Sequence, residues 1–200
     1  MKTPERGARM FDMPMPRRTK ALALALSTIC ASVVAAPSSK RMPDGKLWTT
    51  QNLNVVVNLS YCYDDAEQNC DRYGRLYTWA SAQKACRSLG DGWRLPTNDE
   101  WRQLAKQYGG LLEESKELGQ AAYSALKVGG SSGFDILLGG GRSDKGGEYA
   151  RLEAHGFFWT ATESDPAHAW FYNLGKGMSV VNRHPDGEKE GAISVRCIRD

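Results

Sequence analysis

Four cysteines, Cys62, Cys70, Cys86 and Cys197, limit what this chain can fold into, because the segment before them is laid out for export. Residues 17–36 read RRTKALALALSTICASVVAA. Arg17, Arg18 and Lys20 form a positive n-region, Ala21 to Ala36 is uncharged and rich in Ala, Leu and Val, and small residues crowd its end. That is the order of a secretory signal peptide. Cleavage is expected after Ala35 or Ala36, with Pro37 disfavouring the second. The apolar run is shorter than the roughly 20 residues of a membrane helix, so no membrane span is expected in the mature form. Leu26-Ser27-Thr28-Ile29-Cys30 offers a lipoprotein alternative, weakened by Ile29 before the cysteine. Arg17-Arg18 raises a twin-arginine route, weakened by Lys20. Met15 is an alternative start, with residues 1–14 as an upstream extension.

Export places the four remaining cysteines under oxidising conditions, where disulfides are the default. Three pairings exist. Proximity favours Cys62–Cys70 across the loop YCYDDAEQNC, which leaves Cys86–Cys197. The rival reading is a metal site, but no C-x-x-C exists and the spacings of 8, 16 and 111 residues match no zinc pattern.

Charge separates in the same way. Lys and Arg total 26 and Asp and Glu 23; residues 1–36 take six and two of these, leaving 20 and 21 for the rest. The basic character belongs to the leader, and the remainder lacks the clustered positive charge of a nucleic-acid binder. With 200 residues and 41% hydrophobic content, the chain suits one domain with a real core. The organisation expected is a signal peptide over 1–36, a polar linker over 37–45 and one domain over 46–200.

Within that domain, KLWTTQNLN (46–54) and VVVNLSYCY (55–63) read as extended chain. Thr78 to Leu89 reads as a helix with Trp79, Ala82, Cys86 and Leu89 on one face. Thr97 to Tyr108 is a second helix, opened by a Thr97–Glu100 capping box and striped by Trp101, Leu104, Ala105 and Tyr108. Residues 111–128 are ambiguous between helix and loop. FDILL (134–138) reads as a short strand between Gly-rich loops. Strands follow at 156–164, 169–175, 177–184 and 192–200, with turns at DPAH, GKG and PDGEKEG. The fold class expected is α+β, two helices with a small antiparallel sheet and long irregular loops.

Four segments, YGRLYTWASAQKAC (73–86), GWRLPTNDEW (92–101), FFWTATES (157–164) and SVRCIRD (194–200), recur in this order in one family. Over residues 46–200 the chain resembles the Fibrobacter succinogenes major paralogous domain family. The resemblance implies a C-type-lectin-like fold, exported or surface-attached, without a known enzyme activity. Some relatives are variable proteins of diversity-generating retroelements, in which the stretch corresponding to Thr162–Ile193 is diversified to bind varied ligands. Trp93 and Leu95 are expected to pack under the second helix, Pro96 to position its start, Arg94 to bond backbone carbonyls across the sheet, and Trp159 to lie in the core.

That scaffold constrains the chemistry. Formylglycine-type oxidation shares the GWRLPT-type segment but needs thiolates to bind copper, and all four cysteines have disulfide partners available. A calcium-dependent lectin needs several oxygen ligands in close spacing; Glu163, Asp165, Asp186 and Glu188 lie in or near loops, and neither EPN-, QPD- nor WND-like motifs are present. His155, His168 and His184 fall in separate segments without zinc spacing. GGSSG and GGGRSDKGG lack the lysine context of a phosphate loop. No cofactor, metal or catalytic residue is expected. What remains is recognition by adaptable loops on a stiff scaffold. The candidate ligand-binding residues are Asp165, His168, Tyr172, Asn173, Met178, Asn182, Arg183 and His184, with an extracellular protein, glycan or cell-wall polymer as partner. Alternation sets Tyr172 and Asn173 on opposite faces, and the face of Trp170, Tyr172 and Leu174 is also readable as core.

Overall fold

A computed structural model describes residues 37–200; the leader, with the signal and Cys30 readings placed on it, lies outside the described residues. The elements in chain order are β1 (Ser39–Arg41), β2 (Leu47–Thr49), β3 (Ser60–Tyr61), α1 (Glu67–Tyr73), β4 (Leu76–Tyr77), α2 (Trp79–Arg87), α3 (Asn98–Gln107), α4 (Lys116–Leu126), β5 (Gly141–Arg142), β6 (Tyr149–Ala150), β7 (His155–Glu163), β8 (His168–Gly175), β9 (Val180–Glu188), β10 (Ala192–Ile193) and β11 (Ile198–Arg199). The strands form three antiparallel sheets, ordered β1-β2-β11, β3-β4-β10-β5-β6 and β7-β8-β9. The class is α+β.

Two disulfides are present, Cys62–Cys70 and Cys86–Cys197. The second joins α2 to the segment just before β11. Around it α2 buries Ala82, Ala85 and Cys86 against Trp93, Leu95, Trp159 and Val195. The larger core centres on Trp101 of α3, whose ring stacks on Tyr172 at 5.3 Å and meets Trp48 edge-on at 5.2 Å. Phe134 and Phe158 complete that shell at 5.8 and 5.5 Å. The capping box that opens α3 is formed: the Glu100 N–H donates to Thr97 Oγ1 and the Thr97 N–H to Glu100.

Several local expectations change. Four helices stand where two were expected. Lys116–Leu126 resolves the ambiguous stretch as helix, with Ser115 accepting from the Leu118 N–H as its cap. The short α1 fits inside the small disulfide loop and beyond it. Segment 37–45 is not plain linker, since Ser39–Arg41 pairs with Leu47–Thr49. FDILL forms only an isolated bridge, Ile136 to Lys127, because Asp135 turns left-handed (φ 50°) and breaks the extended run. Val55–Val57 lies outside any strand, and Val56 is 73% exposed. PDGEKEG is not all turn: β9 runs on to Glu188. Arg94 pairs with Ile198 through its backbone, while its guanidinium grips both carboxylate oxygens of Glu100 at 2.7 Å and binds no carbonyl across the sheet. A carboxylate in the first turn of α3 offered the planar fork a stronger, charge-assisted partner.

Arg196 is the largest surprise of the interior. It is wholly buried, and its guanidinium donates to the carbonyls of Thr49, Phe134 and Asp135 and to Asn52 Oδ1, at 2.8–3.0 Å. Burial pulls its pKa down to about 9, opposed by the Asp135 charge. One side chain thus fastens the end of β2, the irregular middle and the C-terminal segment to one another.

Candidate functional site

The β7-β8-β9 sheet has two unlike faces. Alternation sends Phe158, Tyr172, Leu174 and Val181 inward onto Trp101. The register then sets Phe157 beside Asn173, Asn173 beside Asn182, and Phe171 between Trp159 and His184 on the outer face. These outer side chains form a continuous, half-buried layer, apart from Trp159, which is buried. His155 stacks on Phe157 at 5.4 Å and Phe171 on His184 at 5.0 Å, while Phe157 meets Phe171 edge-on at 6.0 Å. Polar pairs border the rings: His155 Nδ1 lies 3.0 Å from Asn173 Oδ1, and Asn182 Nδ2 lies 3.2 Å from His184 Nε2.

Against one end of this face the β5–β6 hairpin closes a cleft of about 370 Å³. Phe157, Phe171, Ile193 and the edge of Trp159 give it an apolar floor. The Trp159 indole is fixed by donating to the Tyr77 carbonyl at 2.8 Å. Arg142 and Arg151 line the cleft, as do Asp144, Asp186 and Glu188. Arg142 is held in place from two sides, its guanidinium 4.2 Å from the Tyr61 ring and 5.7 Å from Tyr149. Tyr149 in turn donates to Asp65 at 2.6 Å, and burial together with that carboxylate pushes its hydroxyl up to about 12. Lys145 reaches Glu188 at 3.4 Å and ties the hairpin loop to the end of β9. An aromatic floor ringed by fixed polar groups binds flat, partly apolar surfaces and orients them by hydrogen bonds.

The eight candidate residues separate by location. Asn173, Asn182 and His184 share the outer face. Asp165 sits in the β7–β8 turn and His168 opens β8, and both serve the turn. Asp165 accepts from the Ala167 and His168 N–H groups at 2.7 and 2.9 Å, and His168 Nδ1 lies 2.8 Å from it. The His168 ring and those N–H groups hold the Asp165 carboxyl below its ordinary range. Lys189 clamps the same turn through Glu163 and the carbonyls of Asp165 and Pro166. Met178 is 55% exposed but lies on the β8–β9 turn, at the opposite end of the sheet. Arg183 is engaged elsewhere: its Nε donates to Glu113 at 2.9 Å and its guanidinium covers Trp170. Tyr172 is corrected outright. It is 0% exposed, donates to the Asn98 carbonyl at 3.0 Å and cannot touch a ligand.

Phe157, Phe171, Arg142 and Arg151 were not among the candidates. Alternation carried a signal for Phe171, which shares the parity of Asn173. Nothing local marks Arg142, whose neighbours Tyr61 and Ile193 come from distant segments. Among the described residues, one group of three His, Cys, Asp or Glu side chains converges to metal-binding distance, Cys62, Glu67 and Cys70, and its two sulfurs are already bonded to each other.

No curated protein and no solved structure matches the chain. The model of the Fibrobacter succinogenes major domain matches residues 39–199, which takes in every element described above. The chain belongs to the Fibrobacter succinogenes major domain family.

Proposed function

We propose that this protein is an exported, disulfide-stabilised recognition module of C-type-lectin-like architecture, without catalysis, and that its ligand rests on the outer face of the β7-β8-β9 sheet and in the adjoining cleft. The observation that carries this reading is the aromatic layer of Phe157 and Phe171, kept half-open beside Asn173, Asn182 and His184 instead of being packed over. Export is supported by the layout of the leader and by two disulfides. Among the described residues no helix is long and apolar enough to cross a membrane. The two disulfides, which use all four cysteines beyond the leader, favour this reading over formylglycine-type oxidation, which needs reactive thiolates.

The ligand is an extracellular protein, glycan or cell-wall polymer. The test is a glycan array together with sedimentation on insoluble peptidoglycan and on intact cells, comparing wild type with Phe171→Ala and Asn173→Ala. Binding that either variant lowers tenfold or more, with unchanged near-UV circular dichroism, supports the assignment. Binding indifferent to both variants overturns it. A sharper form, display by a diversity-generating retroelement, is favoured by the way Asn173, Asn182 and His184 of the 162–193 stretch meet on one outer face. It requires a nearby template copy of that coding segment, differing mainly at adenines, and a reverse transcriptase.

A further inference from the structure

A second cleft, of about 460 Å³, lies elsewhere on the molecule between the end of α1, the end of α4 and the β8–β9 turn. Its lining combines apolar and cationic side chains. Ile136, Leu137, Leu138 and Leu174 form the apolar part, with Val128 beside them at 55% exposure. Arg72, Lys127 and Lys176 supply three positive charges against one carboxylate, Glu153. Glu153 is already engaged: Arg72 binds it at 3.1 Å and the Tyr73 hydroxyl donates to it. Lys127 and Lys176 make no ion pair among the described residues, which leaves the cleft with an uncompensated positive charge. Tyr123 also lines it. That side chain is only 7% exposed, and its hydroxyl has no hydrogen-bond partner among the described residues. The oxygen itself is open to solvent in the cleft, where it is free to donate to a bound acceptor.

We propose that this cleft is a binding site for an anionic amphiphile, a phosphate or carboxylate headgroup carried on an apolar body. The headgroup meets Lys127, Lys176 and the Tyr123 hydroxyl, and the apolar body covers Leu138, Ile136 and Val128. Charge complementarity sets the sign of the ligand, and the apolar floor separates it from a bare anion, which would leave most of the volume unfilled. The proposal does not rest on the outer-face reading, because the two clefts share no lining residue.

The test is calorimetric titration of the domain with three probes: monomeric dihexanoyl phosphatidylglycerol, glycerol phosphate, and dihexanoyl phosphatidylcholine. Phosphatidylglycerol is expected to bind at least tenfold more tightly than either of the others. Lys127→Gln combined with Lys176→Gln is expected to weaken it tenfold or more, and Tyr123→Phe, which keeps the ring, a few-fold; Phe171→Ala leaves it unchanged. Equal affinity for glycerol phosphate overturns the amphiphile class, equal affinity for phosphatidylcholine overturns the anionic class, and indifference to the lysine pair overturns the site. Both lysines are exposed and unpaired, so an unchanged melting temperature confirms that the double variant is folded.

Discussion

Gly187 passes so close to Trp159 that a Cβ placed on it would stand 2.6 Å from the indole, and 2.8 Å from the Phe171 ring. Two of the three aromatic residues that floor the first cleft therefore occupy space that any side chain at 187 would claim. Gly187→Ala is expected to destabilise the domain by about 1–3 kcal/mol, the usual cost of overpacking. It should also displace both rings and lower outer-face binding. Urea unfolding measures the first effect, and near-UV circular dichroism of the tryptophan band the second.

Replacing Arg196 removes the donors of four acceptors at once, three of them on buried residues. Each acceptor left alone costs about 1–3 kcal/mol, partly relieved by relaxation or water entry. Arg196→Met is expected to cost about 3–5 kcal/mol overall. Arg196→Lys restores the charge but not the planar fork, and should recover less than half of the loss. Chemical denaturation of both variants separates the two contributions.

The disulfides differ in what they contribute. In the chain-entropy account, closing a separation of 111 residues is worth about 5 kcal/mol and closing one of 8 about 2.5 kcal/mol. The Cys86→Ala/Cys197→Ala pair should therefore be the more destabilising by about twofold. The non-reduced domain should show no titratable thiol beyond the leader, and its intact mass should fall four hydrogens short of the reduced form.

Glu100 supplies a pH dependence of known sign. Burial works to raise its pKa, but the Arg94 fork and the Thr97 N–H outweigh it and bring the carboxyl down to about 2. A folded pKa below the unfolded one means stability that is present above pH 4.5 and lost as pH falls toward 2. Glu100→Gln is expected to cost about 1–2 kcal/mol at pH 7, after allowance for solvent screening, and almost nothing at pH 2. Unfolding curves of wild type and variant across that interval should converge.

Much of the scaffold is legible without coordinates. The capping box, the stripe of Trp101 and Leu104, and the burial of Trp93, Leu95 and Trp159 follow from spacing and side-chain type, but Trp93 and Leu95 pack with α2 and not, as expected, under α3. Phe171 and Tyr172 show where that legibility stops. Alternation divides β8 into two faces, but aromatic residues occupy both, and period two alone cannot say which face meets Trp101. Once α3 packs against the sheet, Tyr172 is enclosed and Phe171 is left open.

The amino-acid order by itself determined the class of fold, the pairing of the cysteines and the helix start at Thr97, because each depends on groups near in sequence or on a count of partners. Only the tertiary structure decided which side chains line the two clefts and that Arg196 is an interior tie. Those outcomes depend on segments such as Tyr61, Arg142 and Ile193, or Thr49, Phe134 and Arg196, that meet only after the chain has closed on itself. No local preference encodes such a meeting; it arises from the shared burial of surfaces far apart along the chain.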